Sequence, residues 1–204
     1  MKKILLFTVI AAMAAFADGD HSGFYLAGGL GIGPGSASWE PDKGSSLETS
    51  GALTSEVDLR IGGAVGSNFA IHGTFIYTNL SNYDYEMDGA KASTNDAVTC
   101  MMLGIGGTYY FMPVNIFLSG SIGLTAMDLS GDTDDDGTSD FESDSNAGLG
   151  LQLALGKEWM VTDNIGLGVA LSATYLGATW DAAAGGDLYY DNVNLAVEFS
   201  VTYN

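Results

Sequence analysis

Over long stretches of this chain, apolar residues alternate with small or polar ones at every second position, the pattern of a β-strand with two different faces. In "SEVDLRIGGAV", Val57, Leu59, Ile61 and Val65 share one face, and Glu56, Asp58, Arg60, Gly62 and Ala64 share the other. "AGLGLQLALGKEW" sets Leu149, Leu151, Leu153 and Leu155 against Gly148, Gly150, Gln152, Ala154, Gly156 and Glu158. "IGLGVALSATYLG" and "NVNLAVEFSVTYN" repeat the arrangement, the second with Val193, Leu195, Val197, Phe199, Val201 and Tyr203 opposite Asn194, Ala196, Glu198, Ser200 and Thr202. Four further stretches alternate less cleanly: Gly23 to Gly33, Phe69 to Leu80, Ala97 to Phe111 and Asn115 to Leu129. Eight strands are expected.

The connections order these strands. Short ones, "GSN", "MPVN" and "MVTDN", join the second strand to the third, the fourth to the fifth and the sixth to the seventh. Long ones, rich in Gly, Ser, Asp and Asn, follow the first, third, fifth and seventh, so a meander would gather its short turns at one end and its long loops at the other. The large side chains take one face of each strand and small or polar ones the other. Eight strands enclose a narrow lumen that small and polar side chains can fill, so the apolar face should point outward, into lipid. Closing the sheet pairs every backbone group, the condition for crossing a bilayer with strands. The expected fold is an all-β, eight-stranded antiparallel up-and-down transmembrane β-barrel.

Composition agrees with one β-rich domain: 29 glycines, 3 prolines and 47% hydrophobic residues in 204. Residues 1–17, "MKKILLFTVIAAMAAFA", read as a secretory signal peptide cut after Ala17, which leaves 18–204 as the barrel domain. Its apolar stretch is shorter than the roughly 20 residues that span a bilayer. Removing Lys2 and Lys3 leaves four cations, Lys43, Arg60, Lys91 and Lys157, against 25 acids, a formal charge of −21. Such a surface repels nucleic acid and attracts cations. Cys100 is the only cysteine, so no intrachain disulfide can form.

If the short turns mark the periplasmic side, Phe24, Tyr25, Phe69, Tyr109, Phe111, Phe117, Trp159 and Tyr203 fall near that end and form an aromatic girdle at one interface. Tyr77, Tyr175, Trp180 and Tyr189 supply a sparser one at the other. With this pattern, and with "GLGLQLALGKEWMVTDNIGLGVALSATY" as strand, tight turn and strand, the chain resembles the small eight-stranded outer-membrane barrels of Gram-negative bacteria, the OmpA and OmpX type. The resemblance implies a protein exported to the outer membrane, in contact with outer-membrane lipid, inserted by the barrel insertion machinery and monomeric. Members commonly end on an aromatic residue read by that machinery; here Tyr203 is followed by Asn204. No peptidoglycan-binding domain follows the barrel, so the wall-tethering role of longer relatives is not expected.

Arg60 is the only basic residue at a lumen-facing position, and Glu56, Asp58, Glu158 and Glu198 share the lumen side of their strands. A lone buried cation should find an acid, and Asp58 or Glu198 is expected as its partner in an interior charge network. The resemblance implies that such a network plugs the barrel. Enzymatic readings find little support. A deacylase or acyltransferase needs a His with Ser or an acid near the outer leaflet, whereas His21 precedes the first strand and His72 follows a short turn. His72 reads as a satisfied interior histidine and Cys100 as a small buried hydrophobe. The glycines of "GGLGIG" (28–33) read as small barrel residues, because no helix follows them.

The third long loop carries "DTDDDGTSDFESD". Asp132, Asp134, Asp136 and Asp140, with Gly137 and the carbonyl of Thr138, stand at the spacing by which alternate carboxylates converge on calcium. The stretch resembles thrombospondin type 3 repeats and the EF-hand loop, although Ser143 stands where the EF-hand has a bidentate Glu. A calcium-binding loop and a solvated acidic loop both remain open. No other cofactor is expected. The function expected is that of a non-enzymatic outer-membrane barrel whose acidic extracellular loops serve surface interaction or envelope integrity; the alternative is a narrow channel or carrier for small or hydrophobic solutes.

Overall fold

The computed structural model describes residues 23–41, 46–50, 52–81, 83–87, 90–94, 97–131, 141–144, 146–181 and 187–203. They form twelve strands: β1 (Phe24–Pro41), β2 (Leu47–Ser50), β3 (Ala52–Ala64), β4 (Phe69–Ser81), β5 (Tyr83–Met87), β6 (Ala90–Thr94), β7 (Ala97–Phe111), β8 (Ile116–Gly131), β9 (Phe141–Asp144), β10 (Gly148–Met160), β11 (Ile165–Asp181) and β12 (Asp187–Tyr203). Eight of them, β1, β3, β4, β7, β8, β10, β11 and β12, pair antiparallel in chain order, and β12 pairs back onto β1 from Leu26↔Tyr203 to Pro41↔Leu188. The sheet is therefore a closed eight-stranded barrel. The signal peptide expected over 1–17 and the acidic stretch 132–140 lie outside the described residues.

Faces follow the period-two alternation. Leu103 and Ile105 are each 70% exposed on the outside, Leu171 64% and Phe199 65%, while Thr74, Gln152, Thr174 and Glu198 are buried within. A continuous apolar exterior of this extent is untenable in water and is what a bilayer requires. Among the described residues no helix is long and apolar enough to cross a membrane. The short turns suit their residues. Gly66 takes a left-handed φ of +81° and Asn115 one of +50°, conformations that Gly and Asn adopt most readily. In the third turn the Thr162 hydroxyl accepts from the amides of Asn164 (3.3 Å) and Ile165 (3.0 Å).

Several sequence expectations need correction. The strands are longer than the alternation suggested. A membrane crossing takes about 9–11 residues, whereas β1 has 18 and β11 and β12 have 17 each, so the excess rises past the bilayer at the loop end. The connection after the seventh barrel strand is accordingly a hairpin ladder that continues to Asp181↔Asp187. Other connections contain strands of their own: β2 bridges β1 to β5, β6 extends from β5, and β9 pairs with β8. The aromatic girdle at the short-turn end loses two members, because Tyr25 and Phe117 sit at inward parity and are 1% and 4% exposed. Phe69, Tyr109, Phe111, Trp159 and Tyr203 remain exposed there, and Phe24 is covered by Tyr203 at 6.4 Å.

Candidate functional site

The lumen is filled in three layers. In the middle layer the Arg60 Nη2 donates to Asp58 Oδ2 at 2.6 Å and to Gln152 Oε1 at 3.3 Å, with Glu198 Oε2 at 3.9 Å. The Gln152 amide donates in turn to Glu56 Oε1 (3.0 Å), and Glu56 also accepts from Thr174 (2.8 Å) and Ser172 (3.4 Å). Barrel order makes the consequence plain. Arg60, Asp58 and Glu56 lie on β3, Gln152 lies on β10, and four strand steps separate the two in a ring of eight. The network thus crosses the full diameter of the barrel. Each member is at most 4% exposed. Arg60, Asp58 and Glu56 meet the cost of burial through hydrogen bonds, while Glu198 faces Arg60 only at ion-pair distance and its Oε1, like Arg60 Nε, has no hydrogen-bond partner among the described residues.

Toward the short turns the layer is aromatic and hydroxylic. Tyr25 stacks on His72 at 5.7 Å, the Tyr110 hydroxyl reaches that of Tyr25 at 3.5 Å, and the Tyr110 ring lies 6.0 Å from Phe117. Both ring nitrogens of His72 are engaged, Nδ1 with Thr74 (2.9 Å) and Nε2 with Thr108 (3.0 Å), and these hydroxyls continue to Ser121 and Ser119. His72 is a satisfied interior histidine. Glu158 lies lower in the lumen, where its side chain covers Gly166 and its amide donates to the carbonyl of Asn115 in the turn before β8.

Toward the loops the lumen is apolar, which the alternation did not anticipate. Ile76, Leu80, Val98, Cys100, Met102, Met127 and Leu176 form one buried cluster with Trp39 and Tyr190, and Leu47 of β2 and Leu188 of β12 pack against it. Cross-strand pairs build it: Ile76↔Met102 and Leu80↔Val98 between β4 and β7, Cys100↔Met127 between β7 and β8. Trp39 packs on Tyr190 at 5.0 Å. A polar ladder joins this layer to the one below, since Asn192 donates to the Tyr190 hydroxyl (3.0 Å), Asn194 to Asn192, and Thr54 to Asn194 (2.8 Å). Cys100 is buried in the apolar cluster, its thiol donating to the Tyr190 hydroxyl at 3.9 Å.

Of the residues singled out in the sequence, the structure brings Glu56, Asp58, Arg60 and Glu198 to one level of the lumen and sets Glu158 below them. Asp132, Asp134, Asp136, Thr138 and Asp140 fall outside the described residues. Among the described ones no group of three His, Cys, Asp or Glu side chains could hold a metal. Gln152 is the network member that sequence reasoning passed over. The available signal was its parity: it is the one long neutral polar side chain on the inward face of β10, between Gly150 and Ala154.

Residues 4–202 match the family model of the outer membrane protein beta-barrel domain. The chain belongs to this family. As an outer membrane β-barrel it shares its fold with AlkL, solved in lipid bilayers, at a TM-score of 0.52 and 11% identity over 92% of this chain and 93% of that one. It is also similar to Neisserial surface protein A (TM-score 0.49, 16% identity, 88% and 96% covered) and to OprG from Pseudomonas aeruginosa (0.49, 14%, 92% and 100%). At such identities the likeness is one of fold. No curated protein sequence matches the chain. Membership of the family puts this β-barrel in the outer membrane.

Proposed function

We propose that the protein is a non-enzymatic outer-membrane barrel that works through its loop end, in surface interaction or envelope integrity, with the short turns facing the periplasm. The observation that carries this reading is the lumen, closed by a charge network across its diameter and by an apolar layer above. A barrel so filled offers nothing to conduct through, while β2, β5, β6 and β9 raise the connections beyond the wall. A calcium-bound third loop, held by Asp132, Asp134, Asp136, Asp140 and the Thr138 carbonyl, is part of the proposal and would stiffen that surface. The full chain reconstituted in a planar bilayer is expected to give no discrete conductance steps. Sustained steps would favour a narrow channel.

A second reading, a carrier for small hydrophobic solutes, draws on the apolar layer at the loop end. Its central side chains, Ile76, Leu80, Val98, Met102 and Leu176, are at most 1% exposed, so a solute could enter only by parting them. Faster uptake of such a solute by cells carrying the protein would support this alternative.

A further inference from the structure

We propose that the outer wall near the short turns holds one anionic phospholipid, its phosphate on Lys157 and an acyl chain in the groove beside it. This extends the functional reading above and rests on its orientation, in which the short turns meet the periplasmic, phospholipid leaflet.

The groove has a volume of about 530 Å³ on the lipid-facing wall, between Ile71, Ile105, Ile122, Leu151 and Leu153, with Gly120 among its lining residues. Its depth has a local cause. Gly120 faces outward on β8 and adds no side chain beside Ile122 and Leu153, while the Phe69 ring lies over its β7 partner, Gly107. On the other side Gly120 pairs with Leu153 of β10.

Lys157 lies four residues further along β10 on the same face, opposite Ile116 of β8. At about 3.3 Å per residue this is roughly 13 Å toward the turns, within the roughly 15 Å that one leaflet's hydrocarbon spans. Its Nζ donates to the carbonyl of Val114 in the turn before β8 and sits 5.6 Å from the centre of the Trp159 ring. One N–H is thereby used, and two remain to reach a phosphate.

No carboxylate among the described residues pairs with Lys157. Of the other described cations, Arg60 is locked in the lumen and Lys91 lies on β6. In a chain of formal charge −19, one cation without an acid stands at the short-turn rim of an apolar wall. That charge selects an anionic headgroup, and the groove above it takes the chain.

The test is native mass spectrometry of the full chain in detergent, with phosphatidylglycerol and phosphatidylcholine of matched acyl chains as probes. Wild type should retain one phosphatidylglycerol in preference to phosphatidylcholine. Lys157→Gln should cut that retention about fivefold, equivalent to ~1 kcal/mol for one cation at a lipid surface, and Lys157→Arg should restore it. Gly120→Leu, which fills the groove, should lower retention of both lipids; Leu153→Trp fills it from the other side and replaces Gly120→Leu if that variant does not fold. Equal retention of the two lipids by wild type, indifference to Lys157→Gln, or indifference to both groove variants overturns the site. So does displacement of phosphatidylglycerol by equimolar lipopolysaccharide. A conducting barrel would remove the surface reading and leave these lipid outcomes unchanged.

Discussion

Arg60 shows what a single lumenal side chain must satisfy. Its guanidinium and the Asp58 carboxylate are 5% and 3% exposed and 2.6 Å apart, and Glu198 faces the same group. Truncating the cation leaves at least one buried carboxylate without a counter-charge. Such removals cost about 3–5 kcal/mol, more than the net contribution of the intact pair. Arg60→Ala should therefore melt earlier in detergent, seen as a lower temperature for loss of the heat-modifiable gel shift. A midpoint equal to wild type would mean that water reaches these charges. Parity alone made Arg60 and its acids legible, because charged residues at inward positions of a narrow barrel have few places to go. Gln152 was harder to read, since an uncharged amide announces no need for a partner and its role emerges only once β10 stands opposite β3.

At the scale of the strands, alternation was readable wherever one face was small or polar, as in β3, β10, β11 and β12. It blurred in β1, where glycines stand on both faces, and in three others, β4, β7 and β8. The structure supplies the reason. In those three strands both faces are apolar toward the loop end: Phe75 and Leu103 point to lipid, while Ile76 and Met102 point into the lumen cluster. A period-two signal vanishes when the lumen itself is apolar. Strand ends were misread for a related reason, since beyond the bilayer the ladder continues through polar residues that composition assigns to loops. Glycine carries a second element-level constraint. Gly104 and Gly123 face each other across β7 and β8, and a Cβ on Gly104 would lie 2.7 Å from the Gly123 Cα and closer still to the Ile122 carbonyl. Backbone cannot yield there without parting the strands. On the outer face, a Cβ on Gly28 would meet nothing nearer than 4.0 Å. Gly104→Val should reduce the folded fraction after refolding into detergent, whereas Gly28→Ala should refold as wild type; equal yields would show that the β7–β8 pairing is looser than its register implies.

On the scale of the whole molecule, the meander separates two ends with different chemistry. Three tight turns (65–68, 112–115 and 161–164) close one end, and the acidic connections crowd the other. If the loop end faces outward, protease added to intact cells should cut within the connections around 42–46, 82–96 and 131–147 and spare the tight turns. Cleavage at 161–164 with the loops untouched would reverse the orientation. The same assay tests the acidic loop. Asp132, Asp134, Asp136 and Asp140 place four negative charges within nine residues, and like charges so close repel unless a cation lies between them. Millimolar calcium, the range in which weak extracellular sites fill, should protect 132–144 from cleavage. Asp134→Asn together with Asp136→Asn should abolish that protection by removing two of the alternating carboxylates. Magnesium should protect poorly, because it demands a tighter octahedral shell and gives up water reluctantly. Equal protection by calcium, magnesium and added sodium chloride would reduce the effect to charge screening and remove metal from the role of this surface.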